Sequence, residues 1–428
     1  MSYAERTISW TVTKRAPQWY LDTPDRCWTK IACGSGGPSP AQRGNRIHEA
    51  WADPTLLGGS ATNDGGRPNV FAYSGGALDQ VRGEFWVTGG GHNAYPGNEP
   101  YVLALRADTP AWVPMCNPSP GAYGGSGNTL NGDGQYSEDV GKNGAPQSNH
   151  TYNRLVFAND RLWMPGLGGQ QWGTPNVTSR IFSFDRIERR WRAHGYGMTN
   201  AERAAGNFAA FTEETSVVLV PQDNLMWTGW VAYYGPDSNG PPVVVAFDAT
   251  TGQVVQQITF NYPNRMGWGG QMCAKLITGT RYVLMASSNA WGGGLFLWNA
   301  ATPEVNPVRL TVTNNTGGVG YATYTRGMAW HAASGCALQT DGNGENLVKL
   351  APNSAGAWTG GWTASIVTPV NAADPSRVQP TNPSGDPRPY GRVQILDDMG
   401  DGRSALIFQP DTPLQPAFVF ALPAGGLP

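Results

Sequence analysis

A short pattern recurs along this chain: an apolar residue ends a strand-like run, and seven or eight residues later a Trp or Val begins the next run. The complete copies are Leu105 to Trp112, Phe184 to Trp191, Phe247 to Val254, Trp298 to Val305 and Leu350 to Trp358. A fainter copy spans Leu21 to Trp28, and Phe420 ends a last run with no partner after it. The spacing of roughly 50 to 80 residues is typical of β-propeller blades. Each copy therefore predicts the hairpin of the two outer strands of a blade, with its aromatic ring packed between neighbouring sheets.

The remaining strand-length runs group around these copies into six units. Each unit holds three or four runs bounded by Gly, Asn, Asp or Pro, which is the all-β pattern. No segment shows an extended 3.6-residue period, so we expect almost no helix. The sequence therefore predicts an all-β fold with a single β-propeller domain over residues 1–428, built of six four-stranded blades. A seventh blade from residues 1–60 is the alternative.

The sixth unit has only three strand-length runs, so it needs a fourth strand from elsewhere. The N-terminal stretches ISWTV (residues 8–12) and QWYLD (residues 18–22) are the candidates. Pairing one of them with the last unit would close the ring and remove an exposed sheet edge. We therefore expect residues 1–68 to supply the closing strand and a long loop, and residues 69–428 to form the blades.

The composition excludes several functions. Only 14% of the residues are charged and the formal net charge is -2, so a clustered Lys and Arg surface for nucleic acid is not expected. The 57 Gly and 34 Pro would suit disorder, but 17 Trp, 16 Tyr and 13 Phe supply large buried area. No stretch approaches the roughly 18 apolar residues of a membrane span, and the N-terminal residues lack the apolar core of a secretory signal. We expect no nucleic-acid partner, no membrane insertion and no signal peptide.

The first unit resembles the kelch-like repeat of the galactose-oxidase-type propellers. The matching elements are the glycine run Gly89, Gly90 and Gly91, the apolar run from Tyr101 to Leu105, and Trp112. The second unit looks like the opening of another such repeat, whereas the fifth and sixth units lack the di-glycine after the second strand. Proteins of this kind occur among phage virion proteins as well as among secreted enzymes, and the resemblance implies one of these two settings.

The histidines do not fit the copper site of the oxidases in the resembled family. Those enzymes need two His ligands, an axial Tyr and a Tyr crosslinked to Cys, and this chain has no Tyr-His dipeptide. Cu(II) also requires nitrogen ligands that converge on one point. The five histidines are spread over several units: His48, His92, His150, His194 and His331. We therefore predict no catalytic residue, no metal site and no cofactor.

Three acidic segments suit either calcium loops or ordinary turns. Residues 131–139, 340–346 and 397–404 alternate oxygen-bearing side chains with Gly, as calcium loops do, but none has the full spacing of roughly twelve residues. Asp-Gly and Asn-Gly are also common hairpin signals, and the turn interpretation is favoured. The five cysteines include no CxxC pair, which favours buried thiols over a metal–thiolate site.

Aromatic and amide residues are concentrated in the segments that follow the second strand of a unit. In a four-stranded antiparallel blade, these segments and the connections between blades emerge at the same end, where function is often found. Trp and Tyr rings with Asn side chains suit a flat, hydroxyl-rich ligand such as a sugar, or a protein partner. The alternative is that the rings only pack the long loops. The predicted ligand-binding residues are His92, Asn93, Tyr95, Trp172, Trp230, Tyr233, Tyr234, Asn289 and Trp291.

Together these features favour a non-enzymatic protein of a phage-like virion, on its tail or surface, with a structural or receptor-recognition function. Its expected partners are other virion proteins or a host surface glycan, and its expected location is the phage particle, or the cytoplasm before assembly. The alternatives are a carbohydrate-active enzyme, such as a polysaccharide depolymerase or lyase, and a galactose-oxidase-like secreted oxidase. A fold alone does not choose between them.

Overall fold

The strand-length runs form six sheets, each built on four antiparallel strands with apolar residues on both faces. The structure is a computed structural model, and it describes residues 15–31, 70–71, 74–89, 98–116, 146, 150–167, 178–194, 216–231, 243–260, 272–287, 294–318, 320–321, 326–340, 346–370, 390–410 and 416–428. The sheets are the six predicted blades, and the all-β prediction is confirmed.

The strands are numbered along the chain, and each blade is given from its innermost to its outermost strand. Blade 1 holds β2 (Gly75–Asp79), β3 (Glu84–Thr88), β4 (Tyr101–Ala104) and β5 (Trp112–Pro114). Blade 2 holds β6 (Val156–Ala158), β7 (Arg161–Leu167), β8 (Thr178–Asp185) and β9 (Arg190–His194). Blade 3 holds β10 (Ser216–Val220), β11 (Leu225–Val231), β12 (Val243–Asp248) and β13 (Val254–Thr259).

Blade 4 holds β14 (Met272–Leu276), β15 (Tyr282–Ser287), β16 (Gly294–Asn299) and β17 (Val308–Arg309). Blade 5 holds β19 (Ala329–His331), β20 (Cys336–Thr340), β21 (Leu347–Pro352) and β22 (Trp362–Val367). A fifth strand, β18 (Val312–Asn315), extends blade 5 by pairing parallel with β22. Blade 6 holds β23 (Val393–Leu396), β24 (Ser404–Phe408), β25 (Ala417–Leu422) and β1 (Trp28–Ile31).

The innermost strands of the six blades contact one another in a closed ring around an axis. Hydrogen bonds join some of them where the strands begin. The Val217 N–H donates to the Asn153 carbonyl at 3.0 Å, and the Ala274 N–H donates to Ser216 Oγ at 2.9 Å. Neighbouring blades are therefore fixed to each other by directed bonds as well as by apolar packing.

A strand from the N-terminal part of the chain closes the ring, as predicted, but the predicted stretch was wrong. β1 pairs antiparallel with β25. The QWYLD stretch instead forms a helical turn, α1 (Gln18–Leu21), preceded by Pro17, and ISWTV lies outside the described residues. Proline suits a helix start because its missing N–H would have no partner there. The Tyr20 hydroxyl donates to the Ser404 carbonyl at 2.6 Å, which fixes the turn against blade 6.

The closing pair completes the recurring hairpin of the sequence. Trp28 lies opposite Phe420, the residue that ended the last run without a partner, and their ring centroids are 5.0 Å apart. In blade 2, Phe184 lies opposite Trp191 in the same way. The sixth copy of the repeat is thus divided between the two ends of the chain.

The hydrophobic core of the described residues consists of six layers, each between two neighbouring blades. Successive side chains of a strand point to opposite faces, so Phe85 packs towards blade 6 and Trp86 towards blade 2. Every blade contributes one Trp with at most 1% exposure to these layers: Trp28, Trp86, Trp163, Trp227, Trp298 and Trp362.

Blades 4 and 5 depart from the predicted hairpin spacing. Val305 lies before the outer strand of blade 4, and Val308 pairs with Leu297 instead. In blade 5, Trp358 lies in the turn, and Trp362 begins β22 and donates through Nε1 to the Trp358 carbonyl at 2.9 Å. The connections between these outer strands contain extra residues, so a fixed spacing in the sequence places the last strand too early.

We predict that Trp28→Ala destabilises the protein by about 3–5 kcal/mol, because it removes a fully buried ring from the closing pair. Lys30→Ala in the same strand, where the side chain is only half-buried, is the matched control and should cost well under half as much. Denaturant unfolding of both variants measures the difference. Equal unfolding midpoints for the two variants would show that closure does not depend on this tryptophan.

Candidate functional site

The two ends of the propeller differ in the length of their connections. At one end, which we name the turn face, the first and second strands of each blade are joined by two to seven residues, such as 159–160 and 397–403. The opposite end, the loop face, carries the connections after the second strands and between blades. These include residues 89–100, 115–155 and 368–392. The long connections of the sequence therefore attach at one face.

Strand register establishes this arrangement. Gly75, the first residue of β2, lies opposite Thr88, the last residue of β3. Ser287 at the end of β15 likewise lies opposite Gly294 at the start of β16. The predicted sharing of one end by these two kinds of connection follows from the antiparallel order of the strands.

The predicted binding residues belong to connections of the loop face. Trp230 lies near the end of β11, where its backbone is described. The other eight lie outside the described residues: His92, Asn93, Tyr95, Trp172, Tyr233, Tyr234, Asn289 and Trp291. Their joint contribution to a site stays a prediction.

The described base of the loop face is closely packed. The Gly75 N–H donates to Thr151 Oγ1 at 2.8 Å, and the same hydroxyl donates to the Thr88 carbonyl at 2.8 Å. A Cβ on Gly75 would lie 2.1 Å from the Tyr152 carbonyl oxygen, and one on Gly391 would lie 2.8 Å from it. Both glycines permit close approach of segments from blades 1, 2 and 6.

Two fully buried arginines fix chain segments at this base. Arg392 Nη1 donates to the carbonyls of Phe71 and Ser74, and its Nε donates to the Gln409 carbonyl at 3.1 Å. Arg154 donates through Nη2 to the His150 carbonyl. Hydrogen bonds from a charged donor are about twice as strong as neutral ones. These arginines were not predictable from the sequence, because nothing in the pattern separates them from exposed ones.

A pair of tyrosines lies beside the arginines. The rings of Tyr152 and Tyr390 meet edge to face with centroids 4.9 Å apart, and both residues have positive φ, 38° and 44°. Positive φ in a bulky residue is uncommon and requires support from the surroundings. The Tyr152 hydroxyl lies 3.1 Å from His150 Nδ1, and both residues lie at the loop face, before the innermost strand of blade 2. These contacts hold together the chain segments at the base of the loop face.

An axial cavity of about 320 Å³ opens at the turn face. Its walls come from the innermost strands of the six blades, and exposed residues of the short turns surround its mouth, including Gln80, Gln222 and Asp397. The Gln80 amide is already engaged, since Nε2 donates to the Ile395 carbonyl at 2.6 Å and Oε1 accepts from the Asp397 N–H at 3.1 Å. No pattern in the sequence predicts this cavity.

Lys275 is the basic side chain of the cavity wall. It is half-buried, and burial lowers its pKa from the ordinary lysine value, because the ammonium loses water. Among the described residues, no carboxylate forms an ion pair with it. The cavity thus combines one basic side chain with an apolar wall, and the carboxylate of Asp397 lies at its mouth.

The described histidines serve packing. His194 lies between Ser183 Oγ, 2.8 Å from its Nε2, and the Thr251 carbonyl, 3.0 Å from its Nδ1. His331 is fully buried in β19, with Nδ1 at 2.6 Å from Ser334 Oγ, and burial lowers its pKa to about 4. In the part of the chain that the structure describes, no three His, Cys, Asp or Glu side chains converge to hold a metal.

The third acidic segment, residues 397–404, forms a turn between β23 and β24. Asp401 accepts from the Arg403 N–H at 3.0 Å and pairs with its guanidinium at 2.7 Å. This geometry agrees with the turn interpretation. Residues 131–139 and most of 340–346 lie outside the described residues. Within the described segments, no helix has the length and apolar character that crossing a bilayer requires.

No protein-family description and no curated protein sequence matches this chain. Solved structures with a similar fold include an α-L-arabinanase of Penicillium chrysogenum, 13% identical over 82% of this chain and 93% of that chain, with a TM-score of 0.44. A gluconolactonase of Xanthomonas campestris is 9% identical over 94% of this chain and 99% of that one, with a TM-score of 0.41. PorZ, a surface component of the type-IX secretion system of Porphyromonas gingivalis, is 14% identical over 81% of this chain and 38% of its own, with a TM-score of 0.40. None of these similarities assigns an activity to this chain.

We predict that His331 destabilises the protein as the pH falls. The unfolded chain binds a proton at this residue near pH 6.5, whereas the folded protein binds it only near pH 4, so stability is lost between these values. At about 1.4 kcal/mol for each unit of pKa, the full difference corresponds to roughly 3 kcal/mol. His331→Gln should flatten the dependence of the melting temperature on pH between 7 and 4. Parallel curves for wild type and variant would contradict this assignment.

Proposed function

We propose that this chain is a non-enzymatic recognition protein that binds a cell-surface glycan through its loop face, as a component of a phage-like particle. The observation that carries the proposal is the difference between the two ends. Turns of two to seven residues join first and second strands at one end, whereas all the connections after second strands and between blades attach at the other. Binding residues concentrate on such loops when a rigid scaffold positions them.

The residue types of these connections support a sugar ligand. They carry Trp172, Tyr233 and Trp291, and Trp230 adjoins one of them. Aromatic rings offer flat apolar faces, while amides such as Asn289 supply both donors and acceptors to hydroxyl groups. This combination matches the alternating apolar and polar surfaces of a pyranose ring.

The scaffold supports the proposal through its rigidity. The closed ring, the buried Arg392 and the close packing at Gly75 fix the segments from which the long connections depart. A preformed base reduces the entropy that binding must overcome. The setting on a phage-like particle rests on the sequence resemblance to kelch-like propellers of that kind.

We expect that the purified protein binds whole bacterial cells and their isolated surface polysaccharides, and that single Trp→Ala changes at Trp172, Trp230 or Trp291 weaken this binding. Truncating an anchoring Trp at the centre of a site to Ala typically lowers the binding free energy by about 2 kcal/mol or more, which is a roughly thirtyfold loss of affinity. Binding is measured against a panel of polysaccharides, with the melting temperature checked for each variant.

The matched controls are Val81→Ala and Ile187→Ala, two exposed apolar side chains in turns of the turn face. They should leave binding unchanged. Equal losses in both sets, or unchanged binding in the Trp variants, would refute the loop face as the site. Reducing or unsaturated sugars released from a bound polysaccharide would instead support the depolymerase or lyase alternative.

We also expect this protein to be present in phage-like particles purified from a strain that encodes it. Mass spectrometry of particles from a density gradient should find its peptides at a fixed ratio to those of the major structural proteins. Peptides found only in the soluble fraction would contradict the particle setting, while the glycan-binding result would stand by itself.

A further inference from the structure

The axial cavity of the turn face is chemically unlike the proposed glycan site. Half-buried apolar side chains line it, among them Phe157, Leu219 and Leu276, together with the buried residue Trp330. The Phe157 ring is held by stacking on Trp86, with centroids 5.2 Å apart. The wall is therefore a preformed apolar surface, and its volume is at the lower end of small-molecule sites.

Lys275 gives this apolar wall a single positive charge. It lies one residue before the end of β14, whereas Asp397 lies one residue beyond the end of β23, at the exposed mouth. The innermost strands run in the same direction, so the lysine lies deeper than the aspartate. Burial without a carboxylate partner among the described residues lowers the pKa of Lys275, and an anion in the cavity would offset that cost.

The other polar groups limit the ligand class. The Gln80 amide is engaged by Ile395 and Asp397, and Gln222 donates to the Thr280 carbonyl at 3.2 Å. These two amides therefore already form hydrogen bonds within the protein. The Asp397 carboxylate at the mouth disfavours ligands with several negative charges.

We propose that this cavity binds a small amphipathic monocarboxylate, whose carboxylate pairs with Lys275 Nζ and whose apolar body contacts Phe157, Leu219 and Trp330. An eight-carbon acid is small enough to fit in a cavity of about 320 Å³, and its alkyl chain can contact the apolar wall. The site is on the opposite face from the proposed glycan site and does not depend on it.

The test uses octanoate and the neutral octan-1-ol as probes, and binding is measured by titration calorimetry. We expect saturable binding of octanoate at one site, at least tenfold tighter than that of octan-1-ol, because a hydrogen-bonded charge pair forms in a partly dry cavity. Lys275→Met should remove this tenfold preference. Lys30→Met, the same charge change on the outermost strand of blade 6, should retain it.

Leu219→Trp, which fills the cavity, should weaken both probes while Lys275 is intact. If Lys275→Met does not fold, two measurements still test the proposal. They are the affinity of Leu219→Trp and the comparison of the two probes on wild type. The proposal is overturned if wild type shows no saturable binding of octanoate, or if octan-1-ol binds it as tightly. Unchanged octanoate affinity in folded Lys275→Met or in Leu219→Trp would overturn it equally.

Discussion

The pairing of β1 with β25 joins the first described segment of the chain to the last blade, and the closed ring of blades depends on it. Each blade buries both of its faces against its neighbours, so a missing strand exposes part of two core layers at once. Trp28 packs against Phe408 and Phe420 in one of these layers, while Ile31 of the same strand packs in the next. A four-residue strand thereby couples blade 5, blade 6 and blade 1.

Closure also produces the difference between the two ends. Because every innermost strand runs in the same direction, the short turns gather at one end of the axis and the long connections at the other. At the loop face, buried Arg154 and Arg392 donate charge-assisted hydrogen bonds to backbone carbonyls, which satisfies acceptors where strand pairing stops. The base of the loop face, where recognition is proposed, is therefore held by the same packing that forms the ring.

The axial cavity is a consequence of having six blades whose innermost strands face one another around one axis. Side chains from all six blades leave a cavity of about 320 Å³ at the turn face, between Phe157, Leu276 and Trp330 among others. Lys275 introduces one charge into this apolar space, and an uncompensated ammonium in a partly dry cavity is costly. We expect an ammonium group in this position to bind an anionic ligand or to contact water. The proposed monocarboxylate would be such a ligand.

The sequence by itself determined most of the strands and their turns, because period-2 alternation, Gly and Asn turns and the Phe184–Trp191 type of hairpin act over a few residues. It placed the outer strands of blades 4 and 5 too early, because their connections contain extra residues. It also determined that the long connections share one end, which follows from strand parity alone. Only the tertiary structure decided that Trp28 rather than the QWYLD stretch completes blade 6, that Arg154 and Arg392 are fully buried, and that Lys275 lines the axial cavity. Those facts depend on contacts between distant blades, and local patterns contain no information about which distant segment fills a space.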